Sequence, residues 1–289
     1  GSLRPESNRE GESHRRKKQQ VQEPKIQEVA EVEAVPVEEQ NIVFKPNAGP
    51  QTEFLAAGER EVLYGGSAGG GKSYAMLADP LRYMGHPSFS GLLLRHTTEE
   101  LRELIFKSKE MYPQIWKGIK WSERKMQWEA PSGARLWMSY LDRDDDVLRY
   151  QGLAFSWIGF DELTQWSTPY AWNYMRSRLR STAHDLPVYM RATTNPGGPG
   201  HQWVKKMFID PAPYGKQFNA TDIESGRVLT YPKGHSKEGQ ALFKRRFIPA
   251  RLSDNPYLAE QGDYEAMLLS LPEHQRKQLL EGDWDIKEG

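Results

Sequence analysis

The sequence predicts an α/β fold: a mainly parallel central sheet flanked by helices, with an antiparallel hairpin at one edge. Three observations carry this. From residue 41 onward short apolar runs alternate with helix-like segments, the pattern of a parallel sheet covered by helices. One such run passes directly into a glycine-rich stretch and then a helical pattern. Elsewhere two runs flank a Pro-Ser-Gly turn, which suits a hairpin.

In order along the chain, strands are expected at 61–64 (EVLY), 91–95 (GLLLR), 156–160 (SWIGF) and 188–193 (VYMRAT), each short, apolar and partly β-branched or aromatic. The hairpin is expected at 125–129 and 134–140, around Pro131, Ser132 and Gly133. Helices are expected at 73–83, 98–111, 170–180, 202–208 and 259–280, the last broken near Pro272. Residues 211–240 are rich in Gly, Pro and polar side chains and read as a surface excursion. Residues 1–40 are polar, with a basic cluster from His14 to Lys18 and then scattered glutamates, too little apolar area to offset the entropy of ordering. A disordered or weakly ordered arm is the expectation there.

At 289 residues the chain can bury a sizeable core. Lys plus Arg number 39 and Asp plus Glu number 39, so attraction to a polyanion has to come from a local patch. Cysteine is absent, which excludes disulfides and thiolate metal sites and fits a reducing compartment. No apolar run approaches the roughly 18–20 residues that cross a bilayer.

The glycine-rich stretch matches G-x-x-x-x-G-K-S, running Gly66, Ser67, Ala68, Gly69, Gly70, Gly71, Lys72, Ser73. Between a strand and a helix, backbone N–H groups there converge on a phosphate chain, and a Cβ would block the approach. Lys72 then reaches the β- and γ-phosphates, and the Ser73 hydroxyl ligates Mg²⁺. The strand SWIGF ends in Asp161 and Glu162, an acid pair suited to supporting Mg²⁺ and polarising an attacking water. The strand VYMRAT runs into TNPGGPG, where Thr194 and Asn195 can sense a γ-phosphate if this strand neighbours the other two. Together these features indicate a P-loop NTPase of the additional-strand type, binding ATP.

Over residues 47–289 the chain resembles the ATPase domain of the large terminase subunit, the DNA-packaging motor of tailed bacteriophages. The resemblance is carried by GPQTEFL at 49–55, the cradle GGSAGGGKS, WIGFDELTQW, TTNPGGPGHQWVK, FIPARLSDNPYL and LEGDWDI. It implies that Gln51 reads the adenine edge and that Thr194, Asn195 and Pro196 form the coupling motif, though the residue before the asparagine is often smaller than threonine. It implies an arginine acting from a neighbouring subunit, for which Arg149 in LRYQG comes first and Arg178 and Arg180 next. Some relatives carry an arginine inside the cradle; here Ser67 and Ala68 occupy that region, and Lys72 is its one cation.

The resemblance further implies one ATPase domain over 41–289, with a helical subdomain or linker from about 245. It implies ATP and Mg²⁺ as cofactors, and double-stranded DNA, a portal protein and a small terminase subunit as partners. The assembly implied is a homo-oligomeric ring, a pentamer, on the portal, with a monomer in isolation. The setting is the cytoplasm of an infected bacterium, with no membrane and no place in the mature virion. Relatives usually continue past GDW into a nuclease domain, so no DNA cleavage is expected of these residues. Two basic clusters, Lys205 with Lys206 and Lys244 with Arg245 and Arg246, are candidates for phosphate-backbone contact. Two other readings stay open at this stage: another P-loop translocase or helicase, and a nucleotide-dependent assembly module with little turnover.

Overall fold

The computed structural model describes residues 46–66, 71–181, 183–250, 263–277 and 282–285. The arm expected at 1–40 and four cradle residues, Ser67, Ala68, Gly69 and Gly70, lie outside these.

Helix α1 (Pro50–Ala56) precedes strand β1 (Glu61–Gly66), which is buried along its whole length. Helix α2 (Lys72–Ala78) follows the cradle and tightens into a 3₁₀ turn at Asp79–Tyr83, where Pro80 removes a backbone donor. β2 (Ser90–Arg95) leads to α3 (Thr98–Ile115), whose Thr97 hydroxyl caps the Glu100 N–H. Next come β3 (Lys120–Ser122), β4 (Gln127–Glu129) and β5 (Arg135–Tyr140), then a 3₁₀ segment at Asp144–Tyr150 and β6 (Trp157–Phe160). Helix α4 (Tyr170–Arg176) stops short of the expected residue 180 because the Phe155 N–H donates to the Arg178 carbonyl and the Arg180 N–H to the Phe155 carbonyl, a parallel bridge that holds Leu179 extended against Phe155. β7 (Tyr189–Thr194) precedes α5 (His201–Val204), which widens into a π turn at Lys205–Ile209. β8 (Phe218–Asn219), β9 (Lys244–Ala250), α6 (Asp263–Leu269) and α7 (Glu273–Arg276) complete the described chain, with Pro272 separating the last two.

The nine strands form one sheet in the order β3-β4-β5-β2-β6-β7-β1-β9-β8. The central pairs are parallel, from β5 through β9, and the β3–β4–β5 edge and β8 are antiparallel. The strand β7 lies between β1 and β6, which is the additional-strand arrangement. Side chains alternate across the sheet. Val62 and Tyr64 join Leu93, Met138, Met76 and Tyr112 on one face, and Leu63 joins Leu92, Ile158, Met190 and Phe208 on the other. Gly66 has φ 152°, and a Cβ there would stand 1.8 Å from the Ala250 carbonyl oxygen, so close pairing with β9 demands this glycine before any phosphate does. No helix among the described residues is long and apolar enough to cross a membrane.

β9 corrects two expectations. Residues 245–250 open as a strand of the central sheet, so the helical part begins later than about 245. Arg245 is also not a DNA contact: it is 1% exposed and faces Glu61, its register partner on β1. The Glu61 carboxylate is fully buried, accepting from Arg176 Nε at 2.8 Å, Arg176 Nη2 at 2.9 Å and Trp172 Nε1 at 2.7 Å, with Arg245 Nε at 3.4 Å. Arg246 is partly engaged, donating to the Gly215 carbonyl at 2.8 Å and meeting Glu53 at 3.4 Å.

Burial alone would raise the Glu61 pKa, but Arg176 and Arg245 outweigh it and bring the group from 4.5 down to about 2. A carboxylate depressed in the folded state stabilises fully above its unfolded value and loses that contribution as pH falls from about 4.5 toward about 2. Glu61→Ala should therefore lower the unfolding free energy by about 3–5 kcal/mol in urea at neutral pH, since Arg245 is left buried without its partner. The variant should also lose part of the wild-type acid sensitivity in that window.

Candidate phosphate and acid-pair site

Parallel strands gather ligand sites at their carboxyl ends, and the register shows which residues share that edge. Arg95 on β2 is level with Tyr140 on β5, Leu94 with Phe160, Phe160 with Ala192, and Thr193 with Tyr64. Asp161, Glu162, Thr194, Asn195, Arg95 and the start of the cradle therefore lie along one rim.

Asp161 is 1% exposed. Its Oδ2 accepts from Arg95 Nη1 at 2.6 Å and stands 3.4 Å from Ser73 Oγ; its Oδ1 accepts from the Thr193 hydroxyl. Glu162 follows with φ 59° and ψ 62°, a left-handed conformation that a non-glycine residue adopts at a cost of order 1–3 kcal/mol. Its N–H donates to Thr193 Oγ1 at 3.1 Å, and its carboxylate lies 3.6 Å from Arg95. Burial raises the Glu162 pKa and Asp161 adds to it, while Arg95 and Lys72 oppose the shift. A carboxylate so placed is a better proton acceptor than an exposed one.

Lys72 opens α2 and is nearly buried. Burial lowers its pKa from 10.5 to about 8, against the pull of Glu162 and Asp161. Gly71 caps the helix in the left-handed region, and Gln51 Nε2 donates to its carbonyl at 2.9 Å. Gln51 is buried and its Oε1 accepts from the Asn47 N–H at 2.5 Å. Each end of this amide has one partner, which leaves a second N–H and a second lone pair of the same group.

Asn195 directly follows β7, and its Oδ1, an acceptor, is buried with no hydrogen-bond partner. Thr194 is not available to a ligand: its hydroxyl meets that of Thr164 at 2.8 Å and donates to the Asn195 carbonyl at 3.0 Å. Arg149 is exposed on the same rim, its Nη1 donating to the Tyr140 carbonyl at 3.3 Å and its guanidinium over the Tyr140 ring. Tyr140 lies four strand spacings from β1, about 19 Å, so Arg149 does not reach its own cradle. Arg178 and Arg180 flank the Phe155 bridge at the opposite end of β6.

Three rim residues were not anticipated. Arg95 is 7% exposed and holds both acids; the signal was a charged residue closing the otherwise apolar run GLLLR. Thr193 bonds both Asp161 and Glu162, and Glu100, in the first turn of α3, places a buried unpaired Oε2 in the field of Arg95 and Glu162. Neither carried a signal apart from its strand or helix.

The sequence model of the phage terminase large subunit matches residues 59–236, more than half of the chain. The chain belongs to the phage terminase large subunit family. Among solved structures it is similar to the large terminase of the thermophilic bacteriophage D6E, with TM-score 0.59 and 15% identity over 83% of this chain and 54% of that one. A D6E large terminase in complex with ADP gives TM-score 0.57 and 16% identity, with the same coverage of both chains. The large terminase ATPase domain of Thermus phage P74-26 gives TM-score 0.51 and 11% identity, covering 83% of this chain and 94% of that one. No curated protein sequence matches significantly. At these identities the likeness shows the P-loop NTPase-like fold, and this terminase chain spans about half the length of the D6E proteins.

The terminase rim makes one binding prediction independent of any reaction. Below about pH 8 the Lys72 ammonium is present without a ligand; above it, phosphate must first recruit a proton. Affinity for inorganic triphosphate should be flat below about pH 8 and weaken by about tenfold per pH unit above it. Calorimetry in buffers of different ionisation enthalpy should show proton uptake in the upper range, and Lys72→Arg should abolish the dependence.

Proposed function

We propose that this domain is the ATP-hydrolysing motor of a viral large terminase, driving double-stranded DNA through the portal into a procapsid. The observation that carries the proposal is the convergence of Lys72, Ser73, Asp161, Glu162 and Asn195 on one rim, with β7 between the strands that end in the cradle and in the acid pair. The similar D6E large terminases in complex with ADP and with ATP-γ-S support nucleotide binding.

In this reading the cradle 66–71 wraps the phosphates, Lys72 neutralises the β- and γ-phosphates, and Gln51 turns its amide to the adenine edge. Mg²⁺ fits the residues present. Ser73 Oγ and Asp161 Oδ2 are 3.4 Å apart, near the roughly 2.9 Å between neighbouring ligands of an octahedral ion with 2.0–2.1 Å bonds. Among the described residues no group of three or more His, Asp or Glu side chains is placed to hold a metal ion on its own, and a nucleotide-bound magnesium completes its shell with phosphate oxygens and water. When bound, the ion neutralises charge on the β- and γ-phosphates. Glu162 accepts the proton of the attacking water, and the Asn195 side chain registers whether the γ-phosphate is present.

Arg149 serves a neighbouring copy's site, which makes the active assembly a homo-oligomeric ring, a pentamer on the portal, and leaves the isolated monomer nearly inactive. The portal protein and the small terminase subunit are its partners, and its place is the cytoplasm of the infected bacterium, outside the mature virion. No nuclease chemistry is assigned to these residues.

Glu162→Gln should keep nucleotide affinity while phosphate release falls by about 10²–10⁴-fold; turnover at the wild-type rate would remove Glu162 from catalysis. Arg149→Ala should lose about 10³-fold or more in assembled motor and almost nothing in dilute monomer. Mixed assemblies supply the check: Arg149→Ala subunits should recover turnover when wild-type subunits sit beside them.

A further inference from the structure

The loop that closes β7 is fastened at both ends. At its start, Thr194 meets Thr164, two residues beyond Glu162, and the Thr164 N–H donates to Thr194 Oγ1 at 3.3 Å. At its end, the Gly200 N–H donates to the Thr164 carbonyl at 2.7 Å. Between these lie Gly197 and Gly198, with φ 91° and 88°.

His201 opens α5 directly after the loop and is 8% exposed. The Gly197 N–H donates to its Nδ1 at 2.7 Å, which requires a lone pair there and places the ring proton on Nε2. Nε2 stands 2.8 Å from the Trp284 carbonyl oxygen, so the ring donates to it. The His201 and Trp284 rings stack with centroids 5.0 Å apart and planes 19° apart. Trp284 is buried, meets Phe247 of β9 edge-on, and leaves its own Nε1 without a partner; next to it Asp285 pairs with Lys205 at 3.5 Å. One histidine thus joins the loop after Asn195 to residues 282–285.

We propose that His201 is a positioning residue that links occupancy of the γ-phosphate position to the seating of the Gly282–Asp285 segment. This rests on the nucleotide-hydrolysing reading above. A γ-phosphate beside Asn195 accepts a hydrogen bond from its side-chain N–H₂ and fixes the loop, the Gly197 N–H then stays aimed at Nδ1, and the ring holds Trp284. With a diphosphate in the site the loop is less constrained, the Gly197–His201 bond is lost more often, and the segment loosens. The differential contact that shifts the equilibrium is the one to Asn195.

The test is hydrogen exchange at the Asp283 and Trp284 amides of the full chain, with ADP or with a nonhydrolysable ATP analogue, alongside calorimetry of both ligands on the same samples. Protection with the analogue should exceed that with ADP by about fivefold or more, and linkage requires the preference for analogue over ADP to contain the same factor. His201→Phe keeps the stack and removes both hydrogen bonds; it should erase the difference in exchange and lower the analogue preference by that factor. His201→Gln keeps an acceptor and a donor and should preserve both. A wild-type chain that binds neither nucleotide overturns the ATPase reading and this inference with it. Nucleotide binding with equal exchange under both ligands overturns the inference alone, and so does a His201→Phe chain that keeps the difference. Should that variant fail to fold, the wild-type comparison and His201→Gln still decide: loss of the difference in the Gln variant counts against the hydrogen-bond link.

Discussion

Two carboxylates on consecutive residues, carried into the rim of an open nine-stranded sheet, repel each other at short range, and Arg95 and Lys72 beside Asp161 and Glu162 answer that repulsion. Arg95 meets both acids, and Lys72 adds a second cation whose charge burial disfavours and the acids favour. Each cation needs its own support to stand there. Arg95 requires β2 beside β6, and Lys72 requires α2 to follow β1 across the intervening β7. A like-charged pair in a low-dielectric site is tolerable only in such company, so strand order and site electrostatics are one requirement. The same balance leaves room for added negative charge beside Lys72 and added positive charge beside Asp161.

The parts of this plan with local chemistry were legible in the residues. The strand-to-helix passage on either side of the glycine run is legible from its apolar and helical patterns, the acid pair because it ends an apolar run, and the hairpin because its turn residues are specific; β1, β2, β6 and β7 differ from expectation by one or two residues at their ends. β9 was hidden by its own composition. KRRFIPA reads as a basic surface cluster, and only the register with Glu61 shows that Arg245 points inward and Arg246 outward. Arg95 was hidden for the opposite reason, a lone charge at the end of a run counted as apolar. In both cases the missing information was the partner carboxylate on another strand, separated by 184 residues for Arg245 and 66 for Arg95. Thr194 was read as a ligand group because it neighbours Asn195, yet strand alternation and the Thr164 hydroxyl commit it to the interior.

Ion pairs at the two ends of the sheet are built to different standards. Around Glu61 every carboxylate oxygen has a donor at 2.7–2.9 Å, which ties β1, α4 and β9 into one body and holds the carboxylate deprotonated. At the rim, Asn195 Oδ1, Arg95 Nε and Glu100 Oε2 are buried without partners. A saturated network resists rearrangement, whereas one with spare donors and acceptors can accept a ligand or exchange partners. Rigid anchoring at one edge is what allows small displacements at the other to be transmitted instead of absorbed.

The inserted strand does more than separate the cradle from the acids. A single hydroxyl on it, Thr193 Oγ1, donates to Asp161 Oδ1 and accepts from the Glu162 N–H. The Asp161 carboxylate and the Glu162 backbone are therefore both tied to β7, and the left-handed turn at Glu162 persists because that bond and the Thr164 contacts over-determine it. Asn195 continues the same strand two residues on. A displacement of β7 along its axis would then move the Asp161 carboxylate, the Glu162 backbone and Asn195 together, so one strand keeps these rim groups in step.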